Sequence, residues 1–505
     1  MAEATLAFLA LFALIYIVLL FLAHRGHSGQ RGGLEEFFVS GRDLGLGTAI
    51  ATLGATEIGL ITIAYNAQKG FNEGFAAFHI GLAALVGCLF VGLVGFVVSP
   101  MRRTGVLTLP EYYEQRFGRD VRVIGALVMA AGGILNMGLF LKVGSQFIAA
   151  MLAPKGVELN VNVVMVLLLV AAVGYTCYGG MRSVVATDVF QFVLLAAGLV
   201  AASIFLLDII PLDRVIETVS EVRGEAGFNP VTNPSFGPSY MVWMVLVAGV
   251  VSSAIWPTAL TRALCIEKEE TVRRAYGIAS LVFLARMVVP AFLGVMAICY
   301  FAAGGPGPSD ALAAHGGDAD LLATPLMLGH AAPDWLLAFL AMAMFASFMS
   351  TQDSYLFCWA SILSRDVIGV LKGTADNEKA QKLGTRLLIV AIALYELYWG
   401  LAYEGTEDVW DYLAVSGAIY FCSGIVLLGA GLYWKRASRR GALLALGLGF
   451  TAILGLAPVR NAVGLETLSG PVIGFMAIGL SLAGMIAGSL SERPRTTGGG
   501  EGNNE

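Results

Sequence analysis

An all-α polytopic membrane protein with about thirteen transmembrane helices is what this sequence predicts. Three observations carry the prediction. Hydrophobic residues make up 57% of the 505 and charged residues only 13%, where soluble domains hold about 25% charged residues. Mean hydropathy is +0.77. Apolar segments of spanning length recur along the whole chain, separated by charged or Gly/Pro-rich breaks. A water-soluble enzyme is excluded on composition alone, and no basic cluster points to nucleic acid.

The segments fall in order. The first, about 5–23, lacks the basic start of a signal peptide and is long enough to be a retained helix. Spans follow at about 44–68, 74–99, 120–152, 160–179, 183–207 and 239–264, then at 276–303, 333–364, 382–403, 408–434, 440–458 and 470–490. Loops this short leave no room for a separate soluble domain, so 1–490 is expected to be one transmembrane domain. The Gly-rich polar tail 491–505 is expected to be disordered and cytoplasmic. With the N-terminus outside, Arg102-Arg103, Arg116/Arg119/Arg122, Arg273-Arg274, Lys435-Arg436 and Arg439-Arg440 all collect on the inner side. The positive-inside rule then predicts N-out, C-in topology in the plasma (inner) membrane. The longer loops, 208–238 and 304–320, fall outside and are expected to be irregular caps or gates. Six cysteines stand singly, without CxxC pairs, so neither a disulfide framework nor a zinc site is expected.

Ionisable groups in the bilayer core are costly and mark function by default. Glu57, Lys142, Asp188, Arg286, Asp353 and Glu396 are the candidates; static interior ion pairs are the alternative. The run Met349-Ser350-Thr351-Gln352-Asp353-Ser354 places five consecutive polar side chains in an apolar span. Hydroxyls, carboxylates and carbonyls are the oxygen ligands hard cations take, although Ser and Thr can instead bond back to the preceding turn. In span 2, Gly45, Gly47, Gly54 and Gly59 flank Glu57. Such glycines suggest a locally broken helix whose freed carbonyls line a cavity, or simply close helix packing.

Several segments resemble one family. Glu36 to Gly45 is similar to the entry to the second helix of the sodium:solute symporters, and Thr108 to Gly118 to the loop before their fourth. Tyr178 to Gln191, with its Thr187-Asp188-Val189, Trp256 to Arg262, Met349 to Leu356 and Ser364-Arg365-Asp366 match further motifs in order. The resemblance implies a LeuT-type fold: a five-helix repeat at about 44–207, its inverted counterpart at about 239–434, one helix before and two after. It also implies a sodium site from the carbonyls of Ala55, Ile58 and Ser347 with the hydroxyls of Ser350 and Thr351. A second cation site, present in part of the family, would use Asp188, Ser350, Asp353 and Ser354. Asp353 stands where some members have serine, which strengthens cation binding or admits a proton.

The solute would lie between the broken parts of spans 2 and 7, with Glu57, His79, Lys142, Ser252, Ser253, Trp256 and Tyr420 as candidates. His79 has a packing role as its alternative, and Trp256 is either core or a stacking wall. The polar residues that sugar-transporting members place on these helices are not evident. Glu57 suits an ammonium and Lys142 a carboxylate; if both face the cavity, an amino-acid-like zwitterion fits, and if they pair with each other that inference vanishes. The expected function is sodium-coupled import of a small amino-acid-, carboxylate- or choline-like solute by alternating access. Sodium is the coupling ion, no organic cofactor is implied, and solute and membrane lipid are the partners, with no obligate protein partner. Proton coupling through Asp188, Asp353 or Glu57 is the first rival and a solute-sensing membrane protein a second. An enzyme is not expected, since no nucleophile-base pair, phosphate loop or metal cluster is present.

Overall fold

The structure, a computed structural model, describes residues 3–11, 13, 14, 18, 33–305, 319–402 and 409–492. Nearly half of the first expected span, most of the 304–320 loop and most of the tail lie outside the described residues. Among them all regular structure is helical, apart from one isolated β-bridge between Leu44 and Ile266. Nine helices there are long and apolar enough to cross a membrane, which makes the chain a multi-pass membrane protein. That measure yields nine rather than about thirteen because the first expected span is only partly described, the second half of span 2 is counted with span 3, and spans 5 and 12 are short.

The interruptions begin in span 2. Helix α1 (Leu34–Val39) precedes α2 (Leu46–Glu57), and a break at Ile58-Gly59 separates α2 from α3 (Leu60–Glu73). Next come α4 (Phe78–Val94), α5 (Val98–Thr104) and α6 (Leu109–Phe117). The expected span 120–152 is two helices, α7 (Arg119–Met137) and α8 (Phe140–Leu152), joined by a tight turn in which Gly138 N–H reaches the Leu135 carbonyl.

The two spans expected at 160–179 and 183–207 form one helical run, α9 (Val161–Ile209), turned at Gly180. Gly180 has φ +61°, which side-chain-bearing residues rarely adopt, and an added Cβ would sit 2.7 Å from the Phe37 ring. The loop expected to be irregular at 208–238 contains α10 (Leu212–Arg223). Val215 and Val219, four residues apart, are fully buried and give that helix its inner face. It lies against the end of α3, where Arg223 donates to the Phe71 carbonyl and Asn233, in the loop after α10, to Glu73.

Span 7 is also broken. It runs as α11 (Pro238–Trp243), a wider π-type stretch Met244–Val251 and α12 (Ser252–Ile255), opens at Trp256, and restarts as α13 (Pro257–Cys265). Proline at the first position of α13 suits the restart, since its missing N–H has no helical partner to lose. Then follow α14 (Glu269–Ala302), α15 (Ala319–Ala331), α16 (Asp334–Ile362) with a π-type extension Leu363–Gly369, α17 (Val370–Lys372), α18 (Glu378–Ala402) and α19 (Val409–Tyr433). The expected span 440–458 is shorter, as α20 (Arg439–Gly449) and a 3-10 stretch end before α21 (Ala457–Ala462) restarts at Pro458; α22 (Gly470–Ser491) closes the chain.

In packing, α14 lies along α3 and α4, α9 along α16, and α20 along α22. One end of the molecule is rich in arginine. There Arg122 bridges Asp366 at 2.7 Å and Glu114 at 2.5 Å, Thr108 donates to Asp366, and Arg365 reaches Glu111 and Asp376. At the same end Leu44 N–H donates to the Cys265 carbonyl and Glu267 N–H to the Leu44 carbonyl, both at 3.2 Å. This main-chain tie joins the start of α2 to the end of α13.

Candidate ion and solute sites at the helix breaks

The break in span 2 frees carbonyls that a continuous helix would have used. Ile58 leaves helical geometry (φ −105°, ψ 68°) and Gly59 is extended. Side chains from elsewhere reach these carbonyls. Ser347 Oγ donates to Ile58 at 2.6 Å and Thr351 Oγ1 to Thr56 at 3.1 Å, while Arg286 Nη1 donates to Glu57 at 3.0 Å. Ser347 and Thr351 lie one turn apart on the same face of α16. Gly59 is what lets α16 come this close, because a Cβ there would lie 2.6 Å from Thr351 Oγ1.

Among the residues expected to hold sodium, Ile58 lies at the break and Ala55 in the preceding turn, with the hydroxyls of Ser347 and Thr351 on the break's carbonyls. It is the Ser347 hydroxyl, rather than the expected carbonyl, that makes the contact. The Ser350 hydroxyl points the other way, donating to Asp188 Oδ1 at 2.6 Å.

The four residues of the expected second cation site also come together, around an arginine. Asp188 Oδ2 accepts from Thr52 at 2.5 Å and from Arg262 Nη2 at 3.2 Å. Arg262 Nη2 also donates to Ser354 Oγ at 2.6 Å and its Nε to Thr52 at 3.0 Å, while Ser354 in turn donates to Asp353 Oδ1. Asp188 and Asp353 are fully buried, Arg262 is 1% exposed, and Asp353 Oδ2 has no hydrogen-bond partner among the described residues. A guanidinium thus stands where a second cation was expected.

Between the two breaks lies a cavity of about 110 Å³. Its polar wall is an ion pair: Glu57 Oε2 meets Arg286 Nη1 at 3.0 Å, and Thr258 donates to Glu57 Oε1 at 2.9 Å. Arg286 stacks 4.0 Å over the Phe283 ring. The remaining wall is largely aromatic, with Tyr65, Phe140, Trp243, Trp256, Tyr355, Trp410 and Phe421. Trp256 Nε1 donates to the Tyr355 hydroxyl at 2.8 Å. A vestibule of about 410 Å³, lined by Lys69, Tyr240 and Arg460, shares Trp243 and Trp410 with this cavity.

Three of the seven expected solute residues, Glu57, Ser252 and Trp256, line the cavity. The others do not. His79 bonds the Ala76 carbonyl and packs on Phe236, in the loop before α11. Lys142, near the start of α8, lies beside Gly400 of α18 and is not on the cavity wall. Ser253 is buried, and the Tyr420 hydroxyl donates to the Ile255 carbonyl at the span 7 break. Arg286, Asn136, Tyr65, Tyr355 and Trp410 line the cavity without having been assigned to it. Of these, Arg286 carried a signal, as a cation inside an apolar span.

Two broken membrane helices facing each other across a polar-tipped aromatic cavity are the arrangement of the LeuT-type fold. The sodium:solute symporter family profile matches residues 37–449, and the chain belongs to that family. The chain is 25% identical to mouse solute carrier family 5 member 4B over 83% of this chain and 67% of the relative. It is 23% identical to the high-affinity proline transporter PutP of Bacillus subtilis, over 83% and 86% respectively. In fold it is similar to a Na+-coupled sialic acid symporter, with a TM-score of 0.79 and 16% identity over 97% of this chain and 98% of the other.

Proposed function

We propose that the protein is a sodium-coupled symporter that imports a small organic solute across the plasma membrane by alternating access, with its N-terminus outside and C-terminus cytoplasmic. The observation that carries this is the pair of α16 hydroxyls, Ser347 and Thr351, seated on the carbonyls of Ile58 and Thr56. Those oxygens are the ligands a monovalent cation takes. The two elements belong to the proposed repeats 44–207 and 239–434, so an ion held between them favours the arrangement in which they touch. An ion with no such preference would couple to nothing.

Glu57 and Arg286 already satisfy each other, so an amino-acid-like solute would have to part them, its ammonium then meeting Glu57 and its carboxylate Arg286 while the rings hold the remainder. Relatives that carry proline, choline, glucose and myo-inositol in their names mark the range to be screened. With Arg262 as resident cation beside Asp188, one sodium per cycle is the expected stoichiometry.

The test is thermal stability of the purified chain in detergent, in sodium against potassium at equal ionic strength, for wild type and Thr351→Ala. A ligand that binds only the folded state stabilises it by mass action. A sodium-specific rise that Thr351→Ala abolishes is expected. No difference between the cations up to roughly several hundred millimolar, a range that allows for weak binding, would overturn sodium coupling. The buried, unpartnered Asp353 Oδ2 favours proton coupling as the second reading, and acid-stimulated uptake without sodium would select it.

A further inference from the structure

At the arginine-rich end, well away from both helix breaks, a cavity of about 1180 Å³ opens between the start of α7, the turn before α20 and the end of α22. We propose that this cavity binds an anionic phospholipid, its phosphate held by Lys435 and Arg436 and an acyl chain laid against Ile124 and Leu371.

The charge in the cavity is unevenly spent. Its acids are engaged: Asp120 takes a two-oxygen contact from Arg439 at 2.7–2.9 Å, Glu114 takes Arg122 at 2.5 Å, and Glu492 accepts the Arg440 N–H at 3.3 Å. Lys435 and Arg436 line the same space, are exposed, and make no ion pair among the described residues. The turn that carries them is held in place. Arg116 donates to the carbonyls of Gly431, Trp434 and Lys435 at 3.0–3.1 Å, which fixes the turn that presents them. Two exposed cations without an ion-pair partner among the described residues, carried on a turn whose backbone is held, suit an anion in this space.

The apolar side selects which anion. Ile124 is 40% exposed and Leu371 65%, both on the cavity wall and both at the ends of membrane-spanning helices. A free phosphate has no use for such a surface, whereas a phospholipid has its charge and its chain in this arrangement. Basic pockets between spanning helices are a recurrent means of holding anionic headgroups.

The experiment is native mass spectrometry of the intact chain in detergent, titrated with dioleoyl phosphatidylglycerol, with dioleoyl phosphatidylcholine or with inorganic phosphate. Phosphatidylglycerol is expected to be retained well above the other two. In Lys435→Gln/Arg436→Gln its apparent affinity should fall about thirtyfold, the loss that follows from removing two cations that act near an anionic lipid surface. A control pair on exposed cations at the start of α14, Lys268→Gln/Arg274→Gln, should leave it unchanged. Equal retention of phosphatidylcholine, or inorganic phosphate binding as tightly as the lipid, would overturn the proposal. So would an undiminished affinity in the Lys435/Arg436 variant, or an equal loss in the control pair. None of these outcomes bears on sodium coupling.

Discussion

Arg262 illustrates how much one side chain can decide. Its guanidinium holds Asp188, Thr52 and Ser354 at once while being almost wholly buried. Breaking a buried ion pair by deleting one partner costs about 3–5 kcal/mol, because the remaining charge is left uncompensated. In Arg262→Ala the empty space beside Asp188 and Asp353 would be lined by oxygen atoms, and sodium could take the vacated charge. We expect this variant to be destabilised in potassium by about that amount, to regain more stability in sodium than wild type does, and to show a steeper sodium dependence. Equal losses in both cations, measured as thermal midpoints across a sodium titration, would remove Arg262 from the role of resident cation. Buried charges such as Glu57, Arg286 and Asp188 were legible in the sequence because each is anomalous within an apolar run. Their pairing was not: Glu57 meets Arg286 across 229 positions, and hydropathy says nothing about which of two distant cations faces an acid.

At the scale of the element, the break in span 2 was legible and its neighbours less so. Glycines around Glu57 announced an unwinding, and Ile58-Gly59 is where it occurs. By contrast, α7 and α8 read as one span because a single tight turn at Gly138 leaves the apolar pattern almost undisturbed. Helix α10 carries its own signal, since Leu212, Val215, Ile216, Val219 and Val222 recur at helical spacing, but a twelve-residue helix is too short to read as a span. The close approach at the break leads to a sharp prediction. In Gly59→Ala the new methyl would overlap Thr351, and overpacking of this kind costs about 1–3 kcal/mol. The variant should keep its helical fold yet lose most of its sodium-dependent thermal shift. Gly47→Ala, whose added Cβ meets nothing within 4 Å, should retain that shift, and equal responses from the two variants would show that contact at Gly59 does not matter.

Across the whole molecule, all-helical membrane architecture followed directly from composition and the recurrence of apolar runs, whereas the coupling between distant parts did not. The arginine-rich end is closed by contacts spanning the chain, from Thr108 and Arg122 to Asp366 and from Leu44 to Cys265 and Glu267. The last of these joins α2 to α13, the half-helices on one side of each break, by two main-chain hydrogen bonds. Glu267 is exposed, and Ile266 already has the extended backbone (φ −75°, ψ 141°) that a following proline requires. Glu267→Pro therefore deletes one of the two hydrogen bonds with little other disturbance, at a cost of about 1 kcal/mol. Uptake should slow while sodium still stabilises the purified protein, and Glu267→Ala should behave as wild type. A proline variant with undiminished uptake would show that the half-helices do not depend on the tie. Because the join is written in peptide groups, almost any side chain can occupy it. Alanine scanning would pass over it silently, and only a proline scan would reveal that this stretch carries mechanical load.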